Sequence, residues 1–96
     1  MNIDTLYKYL KLVTPNKLKV VKRDDTVDVG VDPSSRAGEV YADSFWIEDS
    51  LIKVSTVSNS LPNYIGKIFK ESKPYRKRGV WRSTYTLEIP SELREE

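Results

Sequence analysis

Seven of the sixteen basic side chains lie in one stretch of sixteen residues, Lys67 to Arg82, in which Glu71 is the single acidic residue. Lysine and arginine neutralise phosphates and release condensed counterions, so this cluster can hold a nucleic-acid backbone if it folds onto one face. The predicted phosphate contacts are Lys67, Lys70, Lys73, Arg76, Lys77, Arg78 and Arg82. A solvated basic loop, balanced by acidic residues elsewhere, is the alternative explanation.

Two aromatic residues, Tyr75 and Trp81, flank the basic turn in this stretch. Aromatic rings stack on unpaired bases, so RNA and single-stranded DNA stay open as partners beside duplex DNA. We expect Trp81 itself to lie in the core, because alternation places it on the same face of the predicted strand as Tyr85 and Leu87.

The segment from Asp24 to Asp49 has the opposite charge, with eight acidic residues against Arg36 alone and a balance of −7. Its aspartates lack the spacing and the glutamate of a calcium-binding loop, so we predict no metal site. Its second half mixes acidic and aromatic residues, which suits a protein-partner surface because interface cores are rich in aromatic side chains. That surface would comprise Asp43, Phe45, Trp46, Glu48 and Asp49. A mixed core with a solvated rim explains the pattern equally well.

Cysteine and histidine are both absent from the sequence. Their absence removes disulfides, thiolate metal sites, a cysteine nucleophile and the usual general base. The sequence also has no glycine-rich phosphate loop and no nucleophile elbow. We therefore expect neither enzymatic activity nor a cofactor.

The 96 residues predict one domain spanning 1–96, and the 39 % hydrophobic and 31 % charged content is typical of a globular protein. No apolar run is long enough to span a bilayer, and the N-terminus lacks the features of a secretory signal. We expect a cytoplasmic protein with no membrane partner.

The elements that position these residues predict an α+β fold. The N-terminal helix is indicated by four apolar residues at helical spacing: Ile3, Leu6, Leu10 and Val13. Asn2 can cap its start, and Thr14-Pro15-Asn16 ends it. Alternating residues then predict a β-hairpin from Leu18 to Val31, and composition predicts a loop from Asp32 to Gly38.

Residues 39–58 are ambiguous between helix and strand. The β-branched content of Leu51 to Val57 favours a strand. Tyr41 to Ile47 is then either the hairpin partner of this strand, through Glu48-Asp49-Ser50, or a helix packed beside it.

A second helix is predicted from Ser60 to about Ser72, with Pro62 in its first turn. Its exposed side would carry Asn63, Lys67 and Lys70, and these three residues form a possible reading surface for base edges. A basic turn from Lys73 to Gly79 and a strand from Val80 to Ile89 follow.

The residue types SLPNYIGKIFKE from Ser60, followed by KPYRKRGVWRSTYTLEI up to Ile89, resemble the final helix and wing of a winged-helix DNA-binding domain. The resemblance covers about a third of the chain. It implies that the helix enters the major groove and that the basic β-ribbon contacts phosphate. The helix residues implied in contacts are Asn59, Ser60, Asn63, Lys67 and Lys70, and the wing residues are Arg76, Lys77, Arg78 and Arg82.

Two classes of function remain after these exclusions. The preferred one is a small nucleic-acid-binding protein, a regulator or replication accessory, with DNA as the first partner and RNA or single-stranded nucleic acid as others. The alternative is a protein-protein interaction module, such as a small assembly subunit or a viral or plasmid-encoded inhibitor of a host protein.

Overall fold

An antiparallel sheet and two short helices make up the part of the chain that the computed structural model describes, which is residues 2–57, 68–71 and 73–88. The predicted α+β class is confirmed. The elements in chain order are α1 (Ile3–Val13), β1 (Lys19–Lys22), β2 (Val27–Gly30), α2 (Arg36–Tyr41), β3 (Asp43–Glu48), β4 (Leu51–Val57), β5 (Ile68–Glu71), β6 (Tyr75–Lys77) and β7 (Val80–Leu87). Over these residues, neither helix has the length and apolar character needed to cross a bilayer.

The strands β1, β2, β3, β4 and β7 are neighbours in that order, and every pair is antiparallel. On its other edge β7 pairs with β5 near Leu87 and with β6 near Val80. Over the described residues the sheet is therefore six strands wide, with β5 and β6 sharing one position.

Helix α1 begins and ends where the sequence predicts. The Asn2 side chain accepts a hydrogen bond from the Thr5 N–H at 2.9 Å, and the extended backbone of Thr14 stops the helix before Pro15. Leu6 and Leu10 are the buried residues of this helix. The helix therefore packs its apolar side on the sheet.

One face of the sheet forms the apolar core. Val27, Phe45, Val54 and Tyr85 lie opposite one another on four successive strands, and all four are buried. Residues directly opposite in an antiparallel ladder point to the same face, so these four side chains form one continuous row. The buried apolar cluster consists of Leu6, Leu10, Val27, Val29, Phe45, Ile52, Val54, Tyr85 and Leu87.

The next row of the ladder points to the opposite face and is polar. It consists of Asp28, Ser44, Ser55 and Thr84, which we call the polar row. Asp28 and Ser55 are nevertheless buried. Helix α2 lies on this side of the sheet, because the Val40 and Ala42 carbonyls accept hydrogen bonds from Arg82, which shares the face of the polar row.

Several sequence predictions are confirmed in the first two thirds of the chain. The hairpin from Leu18 to Val31 is present as β1 and β2, and the strand from Leu51 to Val57 is β4. Tyr41 to Ile47 is predicted to be either a strand that pairs with β4 in a hairpin or a helix beside it. From Asp43 onward the strand is correct, because β3 pairs with β4. The predicted loop from Asp32 to Gly38 is partly wrong, because α2 starts at Arg36 and the Ser35 hydroxyl caps it by accepting from the Gly38 N–H at 2.9 Å.

The predicted second helix is wrong over residues 68–71. Ile68–Glu71 is strand β5, which pairs with the edge of β7. A short apolar run fits either period, and here the free edge of β7 decides in favour of a strand. Residues 60–67, including Asn63 and Lys67, lie outside the described residues. The strand that follows the basic turn is confirmed as far as Leu87. The predicted turn from Lys73 to Gly79 is partly wrong, because Tyr75–Lys77 is strand β6 and pairs with β7.

Candidate nucleic-acid interface

The basic turn is a tight two-stranded hairpin formed by β6 and the start of β7. Lys77 lies opposite Val80, so only Arg78 and Gly79 connect the strands. Both residues have positive φ, 54° at Arg78 and 82° at Gly79, as in the type I′ turns that match the twist of a hairpin. Glycine adopts this conformation without strain, whereas arginine adopts it at some cost. We call Tyr75 to Trp81 the basic hairpin.

The basic hairpin exposes a cation stacked on an aromatic ring. The Arg76 guanidinium lies 5.5 Å from the centroid of the Trp81 ring, and its Nη2 donates to the Gly79 carbonyl at 3.2 Å. Trp81 is 53 % exposed, so its predicted place in the core is wrong. Over the described residues, the pairing of β4 with β7 extends as far as Arg82, and Trp81 pairs with Arg76 of β6.

Arg82 is buried, which corrects its predicted role as an exposed phosphate contact. Its side chain is 5 % exposed. The guanidinium donates to the Ser55 Oγ at 2.9 Å and to the Ser55 carbonyl at 2.6 Å. It also donates to the Val40 and Ala42 carbonyls, both at 2.7 Å. These carbonyls end α2, so Arg82 caps the helix with a positive charge and ties it to β4.

Tyr75 joins the basic hairpin to this buried network. It is 36 % exposed, and its hydroxyl lies 2.6 Å from the Ser55 Oγ. Burial raises the pKa of Tyr75, but hydrogen bonds with Ser55 and Thr84 and the positive charge of Arg82 outweigh burial and lower the pKa overall. The hairpin is thus anchored at its base, while its tip projects.

A cleft of about 250 Å³ lies between the basic hairpin, α2 and the polar row. Its floor includes Asp28, Ser44 and Ser55, and its walls include Trp46 and Tyr75. At the rim Arg78 forms an exposed ion pair with Glu39 at 3.8 Å. Lys77 also lines the cleft, so positive charge and aromatic surface converge at one place.

Asp28 is the most buried acidic residue of the described part of the chain, at 6 % exposed. Its Oδ2 accepts from the Arg23 Nε at 2.7 Å, and Arg23 also donates to the Pro33 carbonyl at 3.0 Å. This contact with Asp28 raises the pKa of Arg23. The Asp28 Oδ1 atom is buried and has no hydrogen-bond partner among the residues that the structure describes.

The acidic-aromatic set proposed as a partner surface does not form one surface. Phe45 is 1 % exposed and belongs to the core, which corrects its predicted role. Alternation along β3 places Asp43 and Phe45 on the core face, but Trp46 and Glu48 on the opposite face. Asp49 is exposed in the turn between β3 and β4.

Trp46 and Glu48 contact each other directly. The Trp46 Nε1 donates to the Glu48 Oε1 at 3.1 Å, and the Lys53 Nζ lies 3.6 Å from the other carboxylate oxygen. The hydrogen bond from Trp46 and the charge of Lys53 both lower the pKa of Glu48. The indole of Trp46 is therefore held in a fixed position at the cleft wall.

Of the remaining predicted nucleic-acid contacts, Lys73, Arg76, Lys77 and Arg78 are all exposed on or next to the basic hairpin. Lys70 lies on β5, and Asn63 and Lys67 fall outside the described part of the chain. The sequence reasoning missed Asp28 and Ser55 as parts of a cleft. The only available signal was an aspartate between two valines in a strand, which suits a buried polar position as well as an exposed one.

Comparison with protein-family models, with curated proteins and with solved structures found no match to this chain.

Proposed function

We propose that the protein binds nucleic acid through the basic hairpin, as a small regulator or replication accessory. The observation that carries the proposal is the exposed Arg76–Trp81 stack at the same tip as Lys77 and Arg78. Arginine and lysine supply the contacts to phosphate, and an exposed ring supplies a platform for a base.

The charges of the hairpin are available to a partner. The ion pair of Arg78 with Glu39 is loose and exposed, so it contributes little and can exchange for phosphate. Lys77 forms no ion pair with the described residues. With Lys73 and Arg76, four exposed cations lie within the seven residues 73–79. A ribbon with this charge can follow a phosphate backbone of either duplex or single strand.

The winged-helix resemblance also supports contact between a basic β-ribbon and phosphate. It adds a base-reading helix, whose proposed residues Asn63 and Lys67 lie outside the described part. Lys70 is on a strand, so it does not belong to that helix. The proposal therefore depends on the hairpin alone.

A salt titration tests the proposal. Binding to duplex DNA, single-stranded DNA and RNA is measured by fluorescence anisotropy over a range of salt concentrations. If all four cations reach phosphate, log affinity falls against log salt with a slope of about −3.6 on duplex DNA. Replacing Arg76, Lys77 and Arg78 together with alanine flattens the slope to about −0.9.

The matched control removes three exposed lysines far along the chain from the hairpin: Lys8, Lys17 and Lys19. This variant has the same net charge as the hairpin variant, so it reports the effect of charge alone. Equal slopes in the two variants would place the contacts elsewhere. A stoichiometric protein complex that is recovered after nuclease treatment, together with no nucleic-acid binding, would favour a protein-interaction module instead.

A further inference from the structure

The floor of the cleft is buried and polar, which is costly unless the polar atoms are hydrogen-bonded. Ser55 meets this requirement through Arg82 and Tyr75. Asp28 meets it at one oxygen only, because Arg23 donates to Oδ2 and no residue in the described part of the chain donates to Oδ1. One carboxylate that lines the cleft therefore has an oxygen without a donor among the described residues.

A carboxylate oxygen only accepts hydrogen bonds, so the missing partner must carry an N–H or O–H group. Arg23 already balances the negative charge of Asp28 at 2.7 Å, which leaves a need for a hydrogen bond rather than for a second cation. Asp28 lines the cleft, but its Oδ1 atom is buried, so a ligand must be met by rotation about the terminal torsion of the side chain, which is broad for aspartate.

The size and walls of the cleft limit what can enter. Its volume of about 250 Å³ lies below the range of roughly 300–1,000 Å³ typical of pockets for drug-sized ligands. The walls include the rings of Trp46 and Tyr75, and the rim includes Lys77 and Arg78. This arrangement suits one flat ring system that donates hydrogen bonds and is attached to a phosphate.

We propose that the cleft holds one unpaired base with an exocyclic amino group, and that among the pyrimidines cytosine is preferred to thymine and uracil. The amino group donates to Asp28, while the phosphates of the same strand lie along Lys77 and Arg78. The inference rests on the proposed function, because the basic hairpin holds the strand whose base enters the cleft.

The choice of base follows from the position of its donors. Aspartate accepts well from the amino group of cytosine, and single-stranded bases are read at such edges. Thymine and uracil present only a ring N–H between two carbonyl oxygens, and these oxygens repel a carboxylate. We therefore expect oligodeoxycytidylate to bind about tenfold more tightly than oligothymidylate of equal length, as one charge-assisted hydrogen bond allows.

The test compares the affinities of these two oligonucleotides by anisotropy at one salt concentration. Asp28→Asn should reduce the tenfold preference to about twofold or less, because the amide accepts more weakly than the carboxylate. Asp25→Asn is the matched control, since it removes the same charge at an exposed site outside this cleft, and it should keep the preference. Ser44→Met fills the cleft from its floor and leaves Asp28 in place, so it should also abolish the preference if Asp28→Asn does not fold.

The outcomes separate this inference from the proposed function. The wild type could bind the two oligonucleotides with equal affinity while its salt slope still depends on Arg76, Lys77 and Arg78. This result would contradict the proposed base-binding role of the cleft and leave the proposed phosphate-binding role of the hairpin standing. A preference that survives in folded Asp28→Asn and Ser44→Met variants would also overturn it. Absence of binding to any nucleic acid would overturn both proposals.

Discussion

Replacement of Arg82 by methionine should destabilise the fold strongly, although Arg82 belongs to the basic stretch of the sequence. Methionine has a similar length but no donor, so the carbonyls of Val40, Ala42 and Ser55 each lose a hydrogen bond at 2.6–2.7 Å. Leaving a buried acceptor unsatisfied costs roughly 1–3 kcal/mol. Because Val40 lies nearer to solvent than the other two, we expect a total loss of about 3–5 kcal/mol.

This loss is a large part of the stability of a small domain, which is typically about 5–15 kcal/mol. Urea unfolding followed by circular dichroism measures it as a fall in the midpoint. Arg82→Lys should recover part of the loss, because a lysine ammonium has three donors but lacks the planar fork. Arg76→Met is the control, and since Arg76 is exposed it should change stability by no more than about 0.5 kcal/mol.

Two results would refute this reasoning about Arg82. The first is an Arg82→Met variant whose free energy of unfolding lies within about 1 kcal/mol of the wild type, because the hydrogen bonds would then contribute little. The second is a stable variant whose salt slope for nucleic-acid binding falls by about one phosphate contact. That second result would restore Arg82 to the phosphate-binding set that the sequence predicts.

Three further predictions concern the turn of β3–β4, helix α2 and the cleft wall. Ser50→Gly should raise the free energy of unfolding in urea by about 1 kcal/mol, because Ser50 has a φ of 64°; a lower midpoint would contradict this. Gly38→Ala should destabilise the protein in the same assay, since a Cβ there would lie 2.1 Å from the Asp32 carbonyl oxygen; an unchanged midpoint would show that the loop shifts freely. The indole N–H resonance of Trp46 should titrate with a midpoint below 4.5, because the pKa of Glu48 is lowered from that value. The stabilisation from Glu48 is then present above its unfolded pKa and is lost as the pH falls through the folded pKa; a midpoint above 4.5 would contradict the contact.

Elements whose signals are local were predictable from the sequence. The start of α1 is set by the side-chain cap of Asn2 and its end by the ring of Pro15. Both effects depend on neighbouring residues only. The alternation of side chains along the predicted strand likewise identified β7 and assigned its residues correctly to the two faces of the sheet. The basic turn was predictable because its charge and its Arg78-Gly79 connection lie within a few residues of each other.

Tertiary structure alone decided which face of β7 is covered. Alternation states that Trp81 and Arg82 point in opposite directions, but it does not state which direction is buried. The apolar ring of Trp81 is exposed, and the cation of Arg82 is buried because α2 brings two carbonyls to it from about forty residues away. The same cause explains the cleft and strand β5. A buried Asp28 depends on α2 and on the hairpin, and residues 68–71 form a strand because β7 offers an edge. These outcomes depend on contacts between distant segments, and no local pattern of residues encodes such contacts.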